Sequence, residues 1–88
     1  MKKYYKSCYH KLREEQGFII VSNKELELFF LDSVSANIYR NMQERKSLEE
    51  IVDIIINEYN VDRTTLSRDI QEMIEFLLER KLVEVCDE

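Results

Sequence analysis

Apolar and polar positions divide the 88-residue chain into a strand-like first third and a helical remainder. The run from Phe18 to Val21 is β-branched and aromatic, and the run from Leu26 to Leu31 carries one charge in six residues. Gly17 lies in a polar turn before the first run, and Ser22 to Glu25 form a polar connection to the second. The pattern therefore predicts an antiparallel meander of two or three strands, one of them a short strand between Tyr4 and Arg13.

The hydrophobic period lengthens to that of a helix after Leu31. Asp32 or Ser33 can cap a first helix, which we expect to end near Arg45 and Lys46, where cations suit a helix C-terminus.

A second helix is marked by Ser47-Leu-Glu-Glu50, which has the spacing of a capping box. We expect this helix to run from Leu48 to about Tyr59 and to be buried, because its apolar residues cover about 200° of the circumference.

A third and longer helix is predicted from a cap at Asp62 to about Arg80. Its inward stripe consists of Leu66, Ile70, Met73, Ile74 and Leu77. Its opposite side is polar, with Arg68, Glu72, Glu75 and Glu79. The short apolar tail from Leu82 to Cys86 is compatible with a terminal strand or with simple packing against the core.

Strands followed by helices predict an α+β fold, and residues 1–88 are of a size for one domain. The chain has no proline and one glycine, so the sequence offers nothing from which to build a linker. The net charge of −5 disfavours nucleic-acid binding as a general property of the surface. No apolar run is long enough to cross a bilayer and no signal sequence is evident, so we expect a cytoplasmic protein.

Residues with catalytic or metal-binding chemistry are few. His10 is the only histidine, and Cys8 with His10 supplies two potential ligands where zinc sites generally use three or four. Glycine-rich phosphate loops, nucleophile elbows and C-x-x-C pairs are absent from the sequence. We therefore expect a binding module that is not an enzyme and has no cofactor. Without a secretion signal, Cys8 and Cys86 are expected to be free thiols.

A strand hairpin joined to three helices is also the plan of winged helix-turn-helix proteins. A DNA-reading third helix normally presents Arg, Lys, Asn, Gln or Ser on its free face. The predicted free face here offers three glutamates against Arg68. A DNA-binding regulator is therefore the alternative function. A third hypothesis is a homo-oligomer joined through the apolar strand from Leu26 to Leu31.

From Gly17 onward the order of short motifs resembles the PqqD family, small peptide chaperones also described as recognition elements for ribosomally synthesised, post-translationally modified peptides (RiPPs). The motifs lie at Leu31 to Tyr39, Ser47 to Val52, Tyr59 to Asp62, and from Asp69 to the Leu82-Val83 tail. Two positions depart from the family pattern, which commonly has asparagine at Asp32 and glycine at Lys81.

The resemblance implies a winged-helix-like fold with a three-stranded antiparallel sheet and three helices. It also implies non-catalytic binding of the leader segment of a precursor peptide, which adds as a strand to the sheet edge. A separate enzyme, either a radical SAM enzyme or a leader peptidase of lasso-peptide assembly, would then modify the peptide.

The predicted peptide site combines the apolar strand with one flank of the third helix. In this strand Leu26, Leu28 and Phe30 point to one side, and the alternating residues point to the other. Taken alone, the strand is equally compatible with a central strand covered on both faces, and Ile70 and Ile74 with a core role. The full set of candidate contacts is Leu26, Glu27, Leu28, Phe29, Phe30, Leu31, Ser67, Ile70, Gln71, Ile74 and Leu78.

Overall fold

The computed structural model describes residues 3–87, which form five strands and three helices. In chain order these are β1 (Lys3–Ser7), β2 (Lys11–Glu15), β3 (Phe18–Ser22), β4 (Leu28–Leu31), α1 (Ser33–Arg40), α2 (Leu48–Ile55), α3 (Arg63–Glu79) and β5 (Val83–Asp87). The α+β class with a three-stranded antiparallel sheet and three helices is confirmed.

Strands β2, β3 and β4 form that sheet in the order β2-β3-β4, and β1 pairs with β5 in a separate two-stranded sheet. The region from Tyr4 to Arg13 thus contains parts of two strands, where the sequence predicted one. The tail forms a strand from Val83, because Ser7 pairs with Val83 and the ladder continues to the pair of Lys3 and Asp87.

The β2–β3 connection is a two-residue turn in which Gln16 and Gly17 both have positive φ, 38° and 94°. This geometry is typical of the tight hairpin turns that match the right-handed twist of strands, and it explains the position of the single glycine. Strand β4 begins at Leu28, so the prediction that it starts at Leu26 is wrong. Leu26 has a φ of 66°, which takes it out of the extended conformation.

Helix α1 begins as predicted, since the Asp32 carboxylate accepts a hydrogen bond from the Ser35 amide at 2.9 Å. This bond holds the pKa of Asp32 below its usual range. The helix ends at Arg40, so the prediction of an end near Lys46 is wrong. Lys46 instead exchanges two backbone hydrogen bonds with Tyr5, and an extended pairing of this kind cannot coexist with helical dihedrals.

Helix α2 has the predicted capping box, with Ser47 and Glu50 bonded reciprocally. It ends at Ile55 rather than near Tyr59, and Ile54 is 38% exposed, so its apolar surface is not entirely buried.

Helix α3 begins at the predicted cap, where the Thr65 hydroxyl and amide donate to Asp62 and lower its pKa. At its other end the amide of Lys81 donates to the Leu78 carbonyl and that of Leu82 to the Leu77 carbonyl, which is a Schellman motif. Lys81 adopts the left-handed φ of 60° for which glycine is usual.

The core lies between the inner face of β2-β3-β4 and the three helices. Its centre includes Tyr39, whose ring is buried and whose hydroxyl donates to the Leu82 carbonyl at 2.8 Å. Burial raises the pKa of Tyr39 well above its usual range, so the phenol stays protonated and acts structurally.

Candidate functional site

Strand β4 is an edge strand in the part of the chain that the structure describes, since it pairs with β3 alone. Its sequence, Leu-Phe-Phe-Leu, contains none of the lysines, prolines or charges that usually protect an edge. Its unpaired backbone groups are therefore open to another extended chain.

Side chains alternate across β4 as the sequence predicted. Leu28 and Phe30 are 71% and 64% exposed, whereas Leu31 is 2% exposed and Phe29 is half-buried against the core. The inner side of the edge thus offers Phe29 as its accessible apolar contact. Leu26 is also exposed, but it lies in the turn before the strand.

A turn organised by Asn23 sets the position of β4. The Asn23 side chain is fully buried, and its Oδ1 accepts from the amides of Glu25 and Glu27, both at 3.0 Å. Its Nδ2 donates to the Glu27 carboxylate at 2.9 Å and to the Arg80 carbonyl at 2.8 Å. One side chain therefore joins the start of β4 to the end of α3. An ion pair between Lys81 and Glu25 spans the same junction.

The sequence pattern placed Asn23 in the polar connection between the two strands and gave no indication that its side chain is buried. Asparagine before a turn is a common signal, because its side chain bonds to the backbone two residues on. The bond to Arg80, 57 residues away, carries no sequence signal.

The predicted flank of α3 divides into two groups. Ile70 and Ile74 are 0% and 2% exposed, so both lie in the core, a role with which the sequence was also compatible. Ser67 and Leu78 are half-buried and Gln71 is exposed, so these three are accessible along the helix.

The opposite side of the sheet, which we call the outer face, carries Leu28 and Phe30 of the predicted contacts together with two apolar side chains outside that set, Phe18 and Ile20. Phe18 and Ile20 on β3 lie beside Leu28 and Phe30 on β4, and the rings of Phe18 and Phe30 are 4.7 Å apart. An open depression of about 620 Å³ lies next to them, between Leu28 and the residues of β2.

Groups with catalytic chemistry are not gathered at this site. Between residues 3 and 87 no three His, Cys, Asp or Glu side chains are close enough to hold a metal ion. Both cysteines are free, and burial, together with the Glu84 charge, raises the pKa of Cys8, which disfavours the reactive thiolate. No helix within the same residues has the length and apolar character needed to span a membrane.

Comparison with known proteins agrees with this architecture. The family model described as "Coenzyme PQQ synthesis protein D (PqqD)" matches residues 17–83. A solved structure described as "TbiB1 in Complex with the TbiA(beta) Leader Peptide" has a TM-score of 0.80 and 28% sequence identity to this chain. The match covers 92% of this chain and 99% of that one. No curated protein sequence matches. The match to the family model covers most of the chain, and on this basis the protein belongs to the PqqD family.

Proposed function

We propose that this protein binds the leader segment of a ribosomally synthesised precursor peptide by strand addition to β4. The observation that carries the proposal is the unpaired, uncharged edge of β4 in a chain that resembles a protein solved with a leader peptide. Strand addition uses backbone hydrogen bonds for affinity and alternate side chains for selectivity.

The two sides of an added strand would meet different surfaces. Side chains on the inner side would lie between β4 and α3, where Phe29, Leu78, Gln71 and Ser67 are accessible. Side chains on the outer side would lie beside Leu28 and Phe30. Apolar residues at alternate positions of the peptide therefore fit this edge best.

We infer that the protein is not itself an enzyme and presents the peptide to a separate modifying enzyme. General acid, base and nucleophilic catalysis need convergent groups with suitable pKa values. The β4 edge brings together apolar side chains and backbone groups, which serve binding. A radical SAM enzyme or a leader peptidase would supply the chemistry.

Titration of the purified protein with the leader peptide of the precursor encoded beside its gene tests the binding. We expect saturable binding with a Kd below ~100 µM, equivalent to more than about 5 kcal/mol of binding free energy. Absence of binding by folded protein would refute the proposal.

An N-methyl scan of the same peptide tests the strand geometry. In an added strand only every second amide faces β4, so N-methylation should weaken binding at alternate positions and have little effect between them. A period of three to four residues would indicate a helical peptide and would exclude strand addition.

A further inference from the structure

The outer face of β2-β3-β4 is a second apolar surface, distinct from the β4 edge. In the sheet register Phe30 lies opposite Ile20, and Leu28 lies opposite Ser22. Residues directly opposite in an antiparallel pair share one face, so the apolar side chains form a continuous patch. The helices cover the other side of the sheet, where Ile19, Val21 and Leu31 are at most 2% exposed.

The exposure of this patch has no explanation within the described part of the fold. Leu28 and Phe30 are largely exposed, and the half-buried Phe18 and Ile20 lie beside them on β3, so the four side chains give a patch on the order of a few hundred Å². Patches of this size commonly mark interaction sites. Standard protein interfaces bury about 800 Å² on each partner, so the patch would form the apolar centre of such an interface and the polar residues around it the rim.

The border of the patch on β2 is basic, in contrast to the net charge of −5 of the whole chain. Lys11 lies opposite Ser22 and Arg13 opposite Ile20, so both belong to the outer face. Glu15 is on the same face and is ion-paired with Arg13 at 2.8 Å, so these three side chains together leave one net positive charge, that of Lys11. Interfaces place opposite charges against each other, so a partner should present acidic residues to this border.

We propose that the outer face docks a second protein through an amphipathic segment in which apolar side chains are flanked by aspartate or glutamate. The apolar side chains would contact Phe18, Ile20, Leu28 and Phe30. The acidic ones would contact Lys11 and would compete with Glu15 for Arg13, since an exposed ion pair is weak.

A second copy of this chain fits the surface less well than a different protein. One acidic and apolar surface of the chain itself is the outside of α3, where Phe76 is 38% exposed among Glu72, Glu75 and Glu79 and has the Arg80 guanidinium over its ring. Docking of α3 onto the outer face of another copy is a head-to-tail contact. Such a contact does not close into a dimer and extends into a chain of molecules.

We identify the partner as the modifying enzyme, and this identification rests on the proposed function. A leader peptide added to β4 would extend the outer face by one strand, beside Leu28 and Phe30. An enzyme docked there would contact the protein and the bound peptide together. It would therefore bind the peptide-loaded protein more tightly than the protein without peptide.

Two synthetic helical peptides of about 14 residues, each long enough for four turns, test the docking surface. One carries a leucine stripe with glutamate elsewhere, and the other has lysine in place of every glutamate. We expect the glutamate peptide to shift the NMR signals of Ile20, Leu28 and Arg13 saturably, and the lysine peptide to bind at least about tenfold more weakly.

Variants of the protein extend this test. The double variant Lys11→Glu with Arg13→Glu should bind the glutamate peptide about tenfold or more weakly, because two attractive contacts become repulsive. Leu28→Ser should lower the affinity for both peptides. Arg68→Glu, an exposed charge on α3, is the matched control and should leave binding unchanged.

Equal binding of both peptides, shifts confined to α3, or an effect of Arg68→Glu equal to that of the β2 double variant would overturn the inference. So would a mass that rises with concentration and depends on Arg13, which would identify a second copy as the occupant. Leader-peptide titration of the parent protein separates this inference from the proposed function. No leader binding by a parent protein that shows the outer-face shifts refutes only the strand-addition proposal, and leader binding without those shifts refutes only the docking surface.

Discussion

Replacement of Asn23 by alanine is the most direct test of how β4 is held against α3. The side chain is fully buried and makes four hydrogen bonds, to the amides of Glu25 and Glu27, to the Glu27 carboxylate and to the Arg80 carbonyl. Alanine removes all four and leaves their partners to find water or remain unpaired.

The magnitude follows from the number of bonds. A typical hydrogen bond contributes about 1 kcal/mol net, and an unpaired buried group costs about 1–3 kcal/mol. Part of this cost is recovered if the exposed turn opens to water, so we expect a loss of roughly 3 kcal/mol in the free energy of unfolding. For a small domain with an m-value of about 1.5 kcal/mol/M, this equals a shift of about 2 M in the urea midpoint.

Two measurements check this prediction. Urea unfolding gives the stability, and amide hydrogen exchange of β4 and of the last turn of α3 shows whether these two regions loosen more than the rest. Asn23→Asp is the informative second variant, since it keeps the acceptor but replaces the amide donor with a charge facing the Arg80 carbonyl and the Glu27 carboxylate. A change below about 1 kcal/mol in both variants, the cost of a single bond, would refute the role assigned to Asn23.

Three further predictions concern β4, the helix caps and the core. The Phe30→Asp variant should fold normally because the Phe30 side chain is 64% exposed. The Phe29→Asp variant should have a lower urea midpoint because it places a charge against the core. Equal midpoints of the two variants would contradict the placing of Phe30 on the outer and Phe29 on the inner side of β4. The carboxylates of Asp32 and Asp62 have a pKa below the usual 3.8, so their stabilising effect is complete above pH 3.8 and is lost as the pH falls through the lowered values. The double variant Asp32→Asn with Asp62→Asn should therefore match the parent protein in free energy of unfolding near pH 7, because aspartate and asparagine both cap helices well. It should lose less stability than the parent on acidification. Identical acid unfolding curves would exclude a stabilising role for the two carboxylates. Tyr39→Phe should cost about 1 kcal/mol in thermal or urea unfolding, because the Leu82 carbonyl loses one of its two donors and keeps the Cys8 amide. An unchanged midpoint would show that the bond from Tyr39 contributes nothing.

The features that the sequence predicted correctly depend on contacts within a few residues. Asp32, Ser47 and Asp62 cap their helices through bonds to amides three residues on, and Gly17 lies in a two-residue turn. The alternation of side chains along β4 follows from the pleat of any extended chain. Such features can be read locally, because the interactions that fix them lie inside the segment itself.

Tertiary structure decided where α1 ends, where β4 begins and which surfaces remain open. The pairing of Tyr5 with Lys46 ends the extension of α1, and the bond from Asn23 to Arg80 joins the turn before β4 to α3. Each joins residues that are 41 or 57 positions apart. The sequence therefore determined the three helices, the β3–β4 hairpin and their order, whereas the separation of β1 from β2 and the pairing of β1 with β5 came from the tertiary structure. The exposed outer face and the unpaired edge of β4 depend on which elements pack together, since an apolar side chain is buried on one side of the sheet and exposed on the other.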